Sequence, residues 1–309
     1  MTERAVGRRT GRLHLRSLGV AACGLLLLAG CTGPDAEPKP DPTAFTLTTL
    51  PALDGSTTSI PLISQVMQQL GNVPRAQADN VETSTTPAAY VTLACNPPNP
   101  KGAVVLAYEP AQATKDAMAE CSELEYHPIG RDALVFVVNE SNPVDSLTTE
   151  QFQDIYSGKI ANWKDVGGPD QKIVAYQRTE TSGSQGFLEK LVMGGAKLSA
   201  APAQTVMSEK GEVEQGLANY DNAANAIGYT VFYYASKMYA TAGFKLLSVN
   251  GVAPTAETIA DGSYPYIGDF NAVIRADDPT DSPSRRVVTW LESDAGKKAI
   301  AEAGYLAAK

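Results

Sequence analysis

The chain is poor in histidine, cysteine and tryptophan, with two, four and two of them in 309 residues. His14 falls in the N-terminal leader described below, so His127 stands alone in the rest of the chain. A Ser-His-Asp triad would have to run through that single residue. The G-x-S-x-G elbow is also broken, because Ser182 occupies the first glycine position relative to Ser184. Zinc chemistry needs clustered His and Cys, which the sequence does not offer. No G-x-x-x-x-G-K-[ST] loop and no G-x-G-x-x-G turn occurs, so two common nucleotide cradles are missing and no cofactor is expected. Positive charge is scarce as well: 25 Lys and Arg against 34 Asp and Glu give a net −9. That balance argues against a nucleic-acid partner. After residue 30 no apolar run is long enough to cross a bilayer as a helix.

What the N-terminus does contain is a basic region, Arg4 to Arg16, followed by the apolar stretch LGVAACGLLLLAG and then Cys31. This reads as a signal peptide over 1–30. Leu28-Ala29-Gly30-Cys31 resembles a bacterial lipobox, which implies a lipid on Cys31; an ordinary signal peptide with a chance cysteine is the alternative. Residues 31–44 hold Pro34, Pro38, Pro40 and Pro42 among alternating charges and read as an extended tether. Removing the signal leaves 20 basic and 33 acidic residues, a formal −13. An anionic ligand would then have to be drawn in locally. Cys95 and Cys121 are the remaining cysteines, and outside the cytoplasm they are expected to pair; two buried free thiols are the alternative.

From residue 45 onward, short apolar runs alternate with amphipathic stretches, the pattern of an α/β protein. Strands are expected at 45–53, 103–110, 132–139, 172–178, 244–251 and 266–276. Helices are expected at 59–70, 113–124, 146–158, 186–193, 212–224 and 284–305, with mixed character over 226–238. Ser146 or Thr148 would cap the helix that Gly158 closes. Strands feeding helices point to parallel sheets, with a ligand beyond their carboxyl ends. Trp163 and Trp290 read as core anchors, and the aromatic stretch YTVFYYASKMY as packing rather than a sugar platform.

Three helix starts share one chemistry: DGSTT (54–58), TSTTP (83–87) and TSGS (181–184). Each offers hydroxyls and unbonded backbone N–H groups at the positive end of a helix dipole, which suits an anion. Ordinary capping explains any one of them equally well. In the second, Pro87 suits the first helical position, which makes Thr86 the expected cap. Arg178 can offer a two-pronged donor to a tetrahedral oxyanion, or pair with Glu180 at the surface. Glu109 follows a buried strand. A carboxylate there could accept the proton of monohydrogen phosphate and repel sulfate, or simply be an exposed turn acid.

The segments DGSTTSIPL, AYEPA, SLTTEQFQDIYSGKIANWKDVGG, RTETSGSQGF, AIGY and VNGVAPTAETIADGSYPY occur in the order seen in PstS-like phosphate-binding proteins, the receptors of bacterial phosphate ABC importers. The resemblance covers roughly 45–305. It implies a class II periplasmic-binding-protein fold, two α/β lobes joined by two crossover strands with the ligand in the cleft. The lobes would be 45–136 with 246–309, and 137–245. It implies inorganic phosphate held by Ser56, Thr57, a second-loop hydroxyl (Ser84, Thr85 or Thr86, with capping favouring Thr86), Arg178, Ser182, Gly183 and Ser184. Glu109 stands near the place of an aspartate that accepts the phosphate proton, a longer acid than the family's. The partners implied are ABC permease subunits and, through Cys31, the outer face of the cytoplasmic membrane. No catalysis is expected. A receptor for another oxyanion or small ligand, or an envelope interaction or sensing protein on the same scaffold, are the alternatives.

Overall fold

The computed structural model describes residues 45–200, 206–207, 223–238 and 243–307. The signal segment, Cys31, the tether and the helix expected at 212–224 lie outside the described residues. In chain order the elements begin with β1 (Ala52–Gly55), α1 (Ile60–Gln69), α2 (Arg75–Ala78), α3 (Thr86–Cys95), β2 (Ala103–Tyr108) and α4 (Gln112–Ala117). A long strand β3 (Leu124–Asn139) follows, then β4 (Ser146–Leu147), α5 (Thr149–Tyr156), β5 (Val174–Ala175), β6 (Gln177–Arg178) and α6 (Gly183–Phe187). The rest of the described chain is β7 (Val206–Met207), β8 (Ala226–Val231), β9 (Phe244–Leu246), β10 (Ser248–Val249), α7 (Ala256–Asp261), β11 (Ile267–Arg275), α8 (Pro283–Glu292), α9 (Asp294–Glu302) and β12 (Leu306–Ala307).

Several elements differ from expectation for local reasons. The first strand starts at Ala52, not 45, because the hydroxyls of Thr46, Thr48 and Thr49 bond one another and Leu50 N donates to Thr46 O at 2.8 Å, closing a turn. The helix expected at 113–124 stops at Ala117, and Leu124 already belongs to β3. The expected helix 284–305 breaks at Ser293, whose hydroxyl accepts from Gly296 N at 3.2 Å and caps α9. In α5, Thr148 is the cap and forms a reciprocal box with Gln151, while Ser146 lies in β4. Gly158 follows that helix with φ +81°, a conformation that favours glycine.

The main sheet runs β1-β2-β11-β3-β8-β5, with β12 and β9 also on β3. It is mixed rather than parallel: β1 with β2 and β5 with β8 are parallel, whereas β11 and β8 lie antiparallel to β3. β3 belongs to two halves of the fold. Residues 124–133 pair with β11, and Leu134–Val138 pair with β8. The segment before β11 stays with the second half, since β10 pairs with β4 and Tyr264 donates to Leu134 O at 2.9 Å. The core is continuous across both halves. Phe136 stacks on Phe152 at 3.9 Å between ring centroids, and Phe270 on Tyr305 at 4.5 Å. Trp163 is fully buried and donates to Asn225 O at 2.8 Å, whereas Trp290 only packs against the core's edge. The Cα atoms of Cys95 and Cys121 are 4.9 Å apart, within the span of a disulfide. Among the described residues no helix is long and apolar enough to cross a membrane.

Candidate functional site

Four strands end at one place. β1 gives way to Ser56, β2 ends on Tyr108, β6 on Arg178, and β8 on Thr230 and Val231. Together with Thr57, Thr58, the loop Thr83–Thr86, Ser182, Gly183, Ser184 and Tyr234 they line a cavity of about 80 Å³. This is far below the roughly 300–1,000 Å³ of sites for drug-sized ligands, so the scale is that of a small ion. Ten of the lining residues are Ser or Thr, and Arg178 is the cation among the described ones. No carboxylate is among the described lining residues. Thr83 Oγ1 is buried without a hydrogen-bond partner, and an orphaned polar group of that kind costs stability unless something satisfies it.

The lining is held from behind. Gly55 makes the first turn possible, because a side chain there would strike the Leu106 carbonyl and Ser59. Asp54 then ties the first loop to the second: Oδ1 accepts from Gly55 N at 2.7 Å and from Ser84 N at 2.8 Å, and Oδ2 accepts from Ser84 Oγ at 2.6 Å. On the opposite wall, Arg178 N donates to Tyr229 Oη at 2.9 Å and to Gln185 Oε1 at 3.3 Å, and the Tyr229 hydroxyl also donates to Gln185. Burial pushes the Tyr229 hydroxyl well above its ordinary range, so this brace is neutral. Ser182 begins α6 without spending its hydroxyl on a cap, and α6 runs directly into a π-helical stretch, Leu188–Met193.

A family model described as the PBP superfamily domain matches residues 42–294. The chain belongs to the PBP superfamily. Over 207 residues it is 26% identical to the phosphate-binding protein PstS of Bacillus subtilis (strain 168), covering 67% of this chain. That match spans 65% of the relative, just under two thirds of its length. In three dimensions it is similar to a Clostridium perfringens protein solved with bound phosphate, with a TM-score of 0.62 at 22% identity over 84% of this chain and 99% of the other. It is also similar to an ABC-type phosphate transport receptor from Vibrio cholerae, with a TM-score of 0.58 at 24% identity over 83% and 99% of the two chains. At these identities the structures share the two-lobe α/β fold.

In this PBP-superfamily chain the expected ligand residues Ser56, Thr57, Thr86, Arg178, Ser182, Gly183 and Ser184 all line the one pocket. Two expectations need correction. Thr85, not Thr86, caps α3, accepting from Ala88 N at 3.4 Å, and Pro87 sits one place further in. Thr86 nevertheless faces the third loop: a Cβ on Gly183 would lie 3.7 Å from its hydroxyl. Glu109 does not line the pocket. It directs its carboxylate away, to Lys115 at 2.5 Å and to Lys190 on the π-helical stretch. Burial raises its pKa, but the hydrogen bonds from the two lysines outweigh that and hold it below the usual carboxylate range. The reason is strand alternation: Tyr108 ends β2 pointing inward, so the next side chain points the other way. His127 is also elsewhere, 3.0 Å from Glu125 and 3.1 Å from Glu292, and is not among the described residues that line the pocket with Ser182 and Ser184. Among the described residues no three His, Cys, Asp or Glu gather to hold a metal.

Tyr108, Thr230 and Tyr234, given no ligand role in the sequence, also line the pocket, as do Thr58 and Thr83, which the sequence placed only within two of the helix starts. Thr230 gave a readable signal, a hydroxyl inside the buried strand AIGYTV. Tyr108 gave none, since a tyrosine closing an apolar strand reads as core.

Proposed function

We propose that this protein is a lipid-anchored receptor that binds one inorganic phosphate between its two lobes and hands it to an ABC permease, without catalysing a reaction. The observation that carries this reading is the convergence of Arg178 with the hydroxyls of three separate loops around one small pocket. Arg178 supplies the charge and two aligned donors; Ser56, Thr57, Thr86, Ser182 and Ser184 supply hydroxyls, and Gly183 lets its backbone approach. Strand pairing favours lobes of 45–133 with 267–309, and 134–266, since β3 and β11 are where the chain changes half. The sequence similarity to PstS supports phosphate as the ligand and an extracytoplasmic place of work. The lipobox supports an anchor at Cys31, and the Cys95–Cys121 geometry supports a disulfide.

Isothermal titration of the protein with phosphate, sulfate, arsenate and molybdate tests the reading. We expect phosphate to bind at one site, and Arg178→Ala to weaken it at least tenfold, about 1.4 kcal/mol. An unchanged affinity removes Arg178 from the site. A second reading, a receptor for a fully ionised oxyanion, draws on the absence of a carboxylate among the described lining residues; tighter binding of sulfate or molybdate than of phosphate would favour it.

A further inference from the structure

Ser182, Gly183 and Ser184 line the pocket at the start of α6. The residues that follow meet the other half of the fold. Gly183, Gly186, Phe187 and Lys190 fall at i, i+3, i+4 and i+7, the spacing of one helix face. A Cβ on Gly183 would lie 3.9 Å from Tyr108 Cβ, and one on Gly186 3.0 Å from Ala111 Cα. At the outer end, Lys190 Nζ donates to Glu109. Tyr108, Glu109 and Ala111 all belong to the first half, so one face of a second-half helix rests on it.

Phe187 is the apolar side chain on that face and is 4% exposed. Its ring meets Tyr108 edge-on, with centroids 5.2 Å apart. Tyr108 meets Phe270 at 5.1 Å, and Phe270 stacks on Tyr305 at 4.5 Å. A ring from the second half thus ends an aromatic row built by the first. Gly268 makes the seat. A Cβ there would lie 2.2 Å from Phe187 Cζ and 2.6 Å from Cε2, so a larger residue would displace the ring. A glycine within a strand marks such a close approach, and Gly268 stands within β11. Two hollows of about 260 and 450 Å³ each have Phe187 in their walls, together with residues of both halves.

We propose that Phe187 is a positioning residue for ligand binding: seated on Tyr108 and Gly268, its ring holds α6, and with it Ser182, Gly183 and Ser184, against the loops of the first half. The inference rests on the phosphate reading above and adds what keeps the ion in place. Phe187 is not among the pocket's described lining residues, so it acts through α6. A contact made only where the halves meet raises the share of molecules competent to bind, and apparent affinity follows that share. Its loss appears in the dissociation rate more than in the association rate. The Lys190–Glu109 pair is part-exposed and adds little beside the buried ring.

The test is stopped-flow kinetics of inorganic phosphate binding in wild type, Phe187→Ala, Gly268→Ala and the double variant, with denaturant unfolding of each. Phe187→Ala removes the ring from one half, and Gly268→Ala fills its seat from the other. We expect each to raise the dissociation rate by about tenfold and to change the association rate by less than about threefold. In the double variant the added methyl meets no ring, so its dissociation rate should match that of Phe187→Ala alone. Should Phe187→Ala not fold, Phe187→Leu, with a smaller rise, and Gly268→Ala carry the test. Lower unfolding stability with unchanged dissociation makes the ring merely structural and overturns the inference alone. So do single effects that multiply in the double variant, because the two residues then act independently. A wild type that binds no phosphate overturns the phosphate reading and this inference with it.

Discussion

The two walls of the pocket are built on opposite electrostatic plans. The first-half wall, 56–58, 83–86 and Tyr108, is lined with neutral hydroxyls and braced from behind by two carboxylates, Asp54 on Ser84 and Asp132 on Tyr108. The second-half wall is lined by Arg178 and braced by a neutral amide and phenol, Gln185 and Tyr229. A protein with a net negative charge can hold an anion this way. Its acids sit one layer back, where hydrogen-bonding hydroxyls shield them, and where they orient those hydroxyls instead of meeting the ligand. The cation stands in front, held through its backbone N–H by Tyr229 and Gln185.

This contrast can be broken from either side. The largest effect we expect is on the first half, through the proposed Cys95–Cys121 bridge, whose cysteines are 26 residues apart. Cys95→Ser with Cys121→Ser should lower stability by roughly 3–4 kcal/mol on the chain-entropy model. Denaturant unfolding without reductant measures this, and phosphate affinity should stay near wild type, because the cysteines lie away from the pocket. The carboxylate brace comes next. Burial raises the folded pKa of Asp132 to about 6, above the ordinary carboxylate value, with Tyr108, Tyr233 and Tyr305 the titratable groups coupled to it among the described residues. Its contribution to stability is therefore full below about pH 4, lost as pH rises through 6, and flat above. Wild-type stability minus that of Asp132→Asn should fall by on the order of 2–3 kcal/mol between pH 4 and 7; a constant difference contradicts the raised pKa.

The contact between the walls is a third target. A Cβ on Gly186 would lie 3.0 Å from Ala111 Cα and 3.3 Å from its Cβ, so α6 rests directly on the first half. Gly186→Val should weaken phosphate binding by about 1–2 kcal/mol, the range of modest overpacking, with Arg178 untouched. The smallest effect is expected at Glu109, whose ion pairs with Lys115 and Lys190 are part-exposed. Glu109→Gln should change phosphate affinity by less than about 1 kcal/mol and leave the sulfate ratio alone; a changed ratio would return this residue to the site.

Much of the site was legible because it is local. Serines, threonines and glycines ahead of helices are visible in a linear sequence, and so is an arginine that ends a strand. The cap of α5, expected at Ser146 or Thr148, and the buried strands expected at 103–110 and 132–139 are equally local. What was hidden depends on which residue faces which. Glu109 and Tyr108 are neighbours in the chain, and only the register of β2 against β11 decides which one turns inward. Asp132 lies 24 residues from Tyr108 and 101 from Tyr233, so its buried contacts appear only once β2, β3 and the segment after β8 are brought together. The shift of the first strand from 45 to 52 arose from competition too fine for propensity, threonine hydroxyls bonding each other in place of a ladder.

The most direct test of the joint site is a crystal structure of the protein grown with phosphate. The account predicts one phosphate in the pocket, hydrogen-bonded to Arg178 and Ser182 from the second half and to Ser56 and Thr86 from the first. Phosphate bound at another place, or held by one half alone, would contradict it.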